Sequence, residues 1–197
     1  MTVTTSQVNQ AFAGILRRAP SLAEQIGYAT MADMPTLIST LISTSENQSG
    51  VRPIIRLYAG LFKRKPDTGG LDFWVQGYRA YAASAGCYSL ANLDTSCAPM
   101  FTAPEYAADY PSSLTTSQYV TALYQNILHR TPDASGLAFW VNAIDNAHEP
   151  RIQVVTNFTE APEFLNDTNA SINQFQSDCA NGATQHCTNL DEQACLS

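Results

Sequence analysis

The sequence predicts an all-α fold: three tandem helical modules packed as one array, with a disulfide-stapled insertion and a C-terminal extension. Three observations predict it. A motif of the form R-x-P-D-x-x-G-L-x-x-W recurs in register, apolar residues recur at helical spacing, and each recurrence is flanked by residues suited to start or stop a helix. The 197 residues are 45% hydrophobic and 14% charged, which fits a packed core rather than a disordered chain.

The third copy of the motif runs from Leu123 to Trp140 and the second from Leu57 to Trp74. Aromatic, aliphatic pair, arginine, Pro-Asp, Gly-Leu and Phe-Trp coincide in the two. The first copy is worn, keeping Phe12, Ile15, Leu16, Arg18, Pro20 and Ser21, with Tyr28 where the others have tryptophan. Tyr124, Ile127 and Leu128 define the buried stripe of a first helix. Pro66 and Pro132 cannot continue that helix, so the chain turns. Asp67 and Asp133 then suit N-caps that accept a hydrogen bond from a backbone N–H two or three residues on, near Gly70 and Gly136. Leu71, Trp74, Val75 and Tyr78, and equally Leu137, Trp140, Val141 and Ile144, form the stripe of a second helix. Arg130 falls where the first helix presents free carbonyls, and it can pair with the cap Asp133.

A third helix completes each module. Ile152, Val155 and Phe158 lead into Thr159-Glu160-Ala161-Pro162-Glu163-Phe164; Phe101-Thr102-Ala103-Pro104-Glu105-Tyr106 and Ser43-Thr44-Ser45-Glu46 are the related stretches. Thr4-Thr5-Ser6-Gln7 and Thr115-Thr116-Ser117-Gln118 supply capping hydroxyls at two starts. The modules are expected at 4–48 (degenerate), 51–110 (with a cysteine-bearing insertion) and 115–168. From 169 to 197 the chain is rich in Asn, Ser, Gln and Cys and reads as a loop or a stapled extension.

Five cysteines, Cys87, Cys97, Cys179, Cys187 and Cys195, lie in the insertion and the tail. Disulfides are the favoured reading, with Cys87–Cys97 as a local loop, and they imply an oxidising compartment. Zinc is the weaker alternative, because the spacing lacks C-x-x-C hooks.

The net charge of −7 is uneven. Residues 1–80 carry eight basic and five acidic side chains, and residues 81–197 carry two basic and twelve acidic. Chance on a solvated surface explains this as well as a basic half facing phosphates or acidic sugars does, or halves attracting head to tail. Nucleic acid is disfavoured as a partner, because no dense basic patch occurs. No apolar run reaches the length of a membrane span. Residues 1–10 show neither the basic start nor the apolar centre of a signal peptide. No G-x-S-x-G, P-loop or H-E-x-x-H occurs, and His129, His148 and His186 have no metal-ligand spacing, so no catalytic residue, metal or cofactor is assigned. Trp74 and Trp140 could stack on sugars, but their spacing favours core packing. The candidate ligand site is the basic cluster Arg17, Arg18, Lys63, Arg64 and Lys65. It would take an anionic glycan or phosphate if equivalent turns pack side by side; the competing reading makes Arg18 and Arg64 structural.

The motif resembles a helical domain of unknown function found in secreted bacterial proteins, often beside RTX calcium repeats, and in surface-layer proteins; the match covers roughly residues 4–168. The opening, through Arg18-Ala19-Pro20-Ser21 to Leu71-Asp72-Phe73-Trp74, also resembles the N-terminal domain of alphaproteobacterial surface-layer proteins. That resemblance implies a non-enzymatic protein of the cell surface, self-polymerising or anchored to the O-polysaccharide of lipopolysaccharide, and exported without a cleavable signal. A monomeric carbohydrate-binding or adhesion module is the alternative. Calcium is not supported, because no G-G-x-G-x-D repeat occurs in the chain.

Overall fold

The computed structural model describes residues 2–183, and among them every regular element is helical. The order is α1 (Thr5–Ile15), α2 (Leu22–Tyr28), α3 (Met34–Ser43), a π-turn (Asn47–Val51), α4 (Arg52–Phe62), α5 (Thr68–Ala85), α6 (Leu90–Cys97), a 3-10 turn (Ala98–Thr102), α7 (Pro104–Asp109), α8 (Thr116–Ile127), α9 (Ala134–Asp145), α10 (Arg151–Thr159) and α11 (Pro162–Ala180).

The caps follow from the side chains at each start. Thr4 with Gln7 and Thr115 with Gln118 form reciprocal capping boxes, satisfying two free amides at the head of α1 and of α8. Asp67 accepts from the Gly70 amide at 2.8 Å and Asp133 from the Gly136 amide at 2.9 Å, as the sequence predicts. Helix α4 has no side-chain cap. It grows out of the π-turn, and Pro53 in its first turn has no N–H to satisfy.

Helix α4 is the axis of the molecule, buried from Arg52 to Leu61. The larger core gathers α4, α5, α6, α7, α8, α10 and α11 around Leu57, Leu61, Leu71, Tyr119, Leu123 and Phe158. A smaller core lies between α1 and α3, around Phe12, Ile15, Leu37 and Leu41. Helix α11 joins them, with Cys179 in the larger core and Ala180 in the smaller. Its backbone crosses α1 so closely that a Cβ at Gly14 would lie 2.6 Å from the Ala180 nitrogen. Only glycine permits that approach.

Two expectations are corrected. The insertion is not stapled: Cys87 and Cys97 are free, one exposed and one buried. Residues 90–97 form α6 instead, whose inner face places Leu93 and Cys97 in the core, so Cys97 serves as a small apolar side chain. The tail does not become loop at 169, because α11 continues to Ala180. Ile172, Phe175, Gln176 and Cys179 keep a helical stripe within a polar composition. Of the other tail cysteines, Cys187 and Cys195 lie outside the described residues.

Candidate functional site

The three motif turns share one geometry. In each, the arginine grips a carboxylate with its Nε and Nη2. Arg18 holds Glu46 at 2.7 and 2.7 Å, Arg64 holds Glu105 at 3.1 and 3.1 Å, and Arg130 holds Glu163 at 2.7 and 3.0 Å. In each, Nη1 donates to the next residue's carbonyl, on Ala19, Lys65 and Thr131. Each guanidinium lies over the aromatic ring six residues earlier, 5.2 Å from Phe12, 5.2 Å from Tyr58 and 4.8 Å from Tyr124. The residue before the arginine is left-handed every time: Arg17 at φ 56°, Lys63 at φ 54° and His129 at φ 52°. None is glycine, so each turn holds roughly 1 kcal/mol of backbone strain that the fork and the ring must offset.

The expected pairing of Arg130 with its cap is present but long, and a second carboxylate takes the fork. Arg130 is 3.9 Å from the cap Asp133 and makes its paired contacts with Glu163. The signal was present in the glutamates of Ser43-Thr44-Ser45-Glu46, Ala103-Pro104-Glu105 and Ala161-Pro162-Glu163. It was hard to use because the separation from the arginine varies: 28, 41 and 33 residues.

A second regularity explains the motif glycine. A Cβ on Gly70 would lie 2.6 Å from the Tyr58 hydroxyl, and one on Gly136 would meet the Tyr124 hydroxyl as closely. In the first copy the ring is Phe12, which has no hydroxyl, and the glycine position holds Glu24. Glu24 gives Arg18 a second carboxylate at 2.7 Å. Arg18 holds the Glu24 carboxyl down at about 2, while Glu46 and Glu24 push the Arg18 value up.

The predicted basic cluster is dispersed into separate pairs. Arg17 is buried and bonds Asp72 at 2.6 Å. Arg18 lies between Glu24 and Glu46, Lys63 is 2.9 Å from Asp109, and Arg64 is held by Glu105. Lys65 lies over the Phe175 ring at 5.9 Å. Arg17 and Arg18 border a hollow of about 450 Å³ between α1 and α5, whereas Arg64 and Lys65 border a different one of only about 10 Å³ beside α11. Arg52 and Arg56, not singled out in the sequence, are also interior. Arg56 forks onto Glu160 at 2.7 and 2.6 Å. Arg52 bonds the amide oxygens of Asn169, Asn173 and Gln176, with no carboxylate, and burial lowers it to about 10.

Apolar surface is concentrated on the second helices. Helix α2 buries none of its residues, and Leu22 is 72% exposed with Ile26 one turn on. Helix α9 buries only Ala143, and Phe139 is 63% exposed. Trp74 and Trp140 are half-buried against the larger core, each edge-on to its exposed neighbour, Phe73 or Phe139. Among the described residues, no three His, Cys, Asp or Glu side chains gather as a metal site. No helix there is long and apolar enough to cross a membrane.

No curated protein and no solved structure matches the chain. One family model does, described as Domain of unknown function (DUF4214). It covers residues 98–168, about a third of the chain, including the whole third turn and its Glu163 partner.

Proposed function

We propose that this chain is a non-enzymatic structural protein of the cell surface, a tandem array of three helical modules that assembles with copies of itself. One observation carries the reading: α2 and α9, the second helices of the first and third motif copies, leave Leu22, Ile26 and Phe139 in solvent. Helical arrays stay soluble by presenting a polar face at their outer repeats. Phe73 on α5 is equally exposed, so apolar side chains stand on the second helix of every copy, and unlike patches of one chain meeting on another favour head-to-tail association, which propagates rather than closes. The resemblance to surface-layer proteins supplies the location and makes the O-polysaccharide of lipopolysaccharide the envelope partner in this reading.

The test is sedimentation velocity with negative-stain microscopy on the intact protein and on a variant carrying Leu22→Ser, Ile26→Ser and Phe139→Ser. The wild type is expected to form concentration-dependent oligomers or filaments and the variant to stay monomeric with an unchanged melting temperature. A wild type that remains monomeric at every accessible concentration would refute assembly and leave the monomeric binding module as the working description.

A further inference from the structure

We propose that the open cleft between α7 and the start of α10 binds a carboxylated sugar. The inference is independent of self-assembly. The cleft encloses about 470 Å³ and is lined by Phe101, Tyr106, Tyr110, Ser112, Arg151 and Ile152. That volume is in the range of small-molecule sites and holds one or two sugar rings.

Arg151 carries the argument. The chain has eight arginines. Seven use their guanidinium in hydrogen bonds to side-chain or backbone oxygens: Arg17, Arg18, Arg52, Arg56, Arg64, Arg79 and Arg130. Arg151 has no such bond among the described residues. It lies half-buried over the Tyr119 ring, 4.4 Å from the centroid. Glu149, two residues earlier, accepts from the Asn157 amide at 3.1 Å, and Asp109 pairs with Lys63 at 2.9 Å; neither forms an ion pair with Arg151. A guanidinium fixed by a ring and without an anion among the described residues has its planar fork free for a carboxylate. Arg151 is also the first residue of α10, a helix start with no side-chain cap, so the backbone there favours negative charge too.

The remaining walls determine what the carboxylate belongs to. Phe101, Tyr106 and Tyr110 pack ring to ring at 5.0 Å each, a fixed aromatic wall. The Tyr106 hydroxyl donates to that of Tyr119, which donates to the Arg151 carbonyl, both at 3.3 Å, tying the wall to the arginine's backbone. Tyr110 is only 3% exposed, with the Asn126 side chain beside its hydroxyl. Tyr106 and Tyr110 back the cleft from the core, half-buried Phe101 can take the C–H face of a sugar, and exposed Ser112 at the rim offers a hydroxyl to a hydroxylated ligand. A phosphate dianion fits less well, because one unpaired cation serves the cleft.

The test is a titration followed by amide ¹H–¹⁵N spectra of the intact protein, using digalacturonate and a neutral digalactoside of the same linkage. Digalacturonate is expected to give saturable shifts at residues 98–112 and 151–154, with the neutral disaccharide at least about tenfold weaker. Arg151→Gln should weaken digalacturonate by about tenfold or more, and Arg151→Lys by less. Ala107→Trp, an exposed position on the rim, should block binding without disturbing the fold, so the test survives if Arg151→Gln fails to fold. Absent or scattered shifts, equal binding of the neutral sugar, or undiminished binding by Ala107→Trp would overturn the proposal.

Discussion

Helices α5 and α9 begin with the same motif and end in different environments. Both start on a capping aspartate, both follow an arginine fork, and both carry a glycine under a tyrosine hydroxyl. Helix α5 then buries Leu71, Val75, Tyr78 and Ala82 against α4 and α6, whereas α9 packs chiefly on α8 and buries Ala143 alone. The motif therefore determines the turn and the first residues of the helix. Burial depends on what the rest of the chain lays over it, here the α6 insertion present in only one copy.

The comparison breaks most sharply at the paired leucines. Leu71→Ala should cost about 3 kcal/mol, and Leu137→Ala about 1 kcal/mol, because the second site is half-open and can fill with water. Denaturant unfolding of both variants checks this, and equal costs would mean that α9 is covered in solution. Gly70→Ala should cost about 2 kcal/mol through the Tyr58 hydroxyl. Much of that loss should be recovered in Tyr58→Phe with Gly70→Ala, which imitates the Phe12 and Glu24 pairing of the first turn. A penalty that persists in the double variant would place its origin elsewhere.

Smaller effects separate the first turn from the other two. The Glu24 carboxyl lies at about 2 in the folded protein against an ordinary 4.5. Its pairing with Arg18 thus stabilises the fold above about pH 4.5, and the contribution drains away as pH falls towards 2. Glu24→Gln should flatten that limb of the stability curve in acid melts. The smallest effect is chemical. Burial pushes the Cys97 thiol up to about 12, while Cys87 is exposed. An aromatic disulfide reagent should label Cys87 promptly and Cys97 only on unfolding. Recovery of a Cys87–Cys97 crosslink from native protein would contradict the α6 geometry.

The helices, caps and turns were legible because their causes are local. Pro66 and Asp67, or Pro132 and Asp133, act within a few residues of themselves. The arginine partners were not, because Glu46, Glu105 and Glu163 stand at three different separations and only packing brings them to one place. The basic cluster dissolved for the same reason: composition counts charges, while Asp72, Glu46, Glu105 and Asp109 arrive from other helices to neutralise them. Helix α11 outlasted its prediction because a polar side chain can be interior when an arginine needs its oxygen, as Gln176 is for Arg52.

The arginine fork closes within the stretch that one motif copy spans: Arg18 to Glu46, Arg64 to Glu105, Arg130 to Glu163. Each such stretch therefore carries the counter-ion of its own arginine. Ties between copies, such as Arg17 to Asp72, Arg79 to Glu46 and Arg56 to Glu160, occur once each and have no counterpart elsewhere. The repeated bonds neutralise each turn from within its own stretch, and the single ones lash one stretch of the chain to another, so the unrepeated arginines are the ones that would register a change in how the stretches pack.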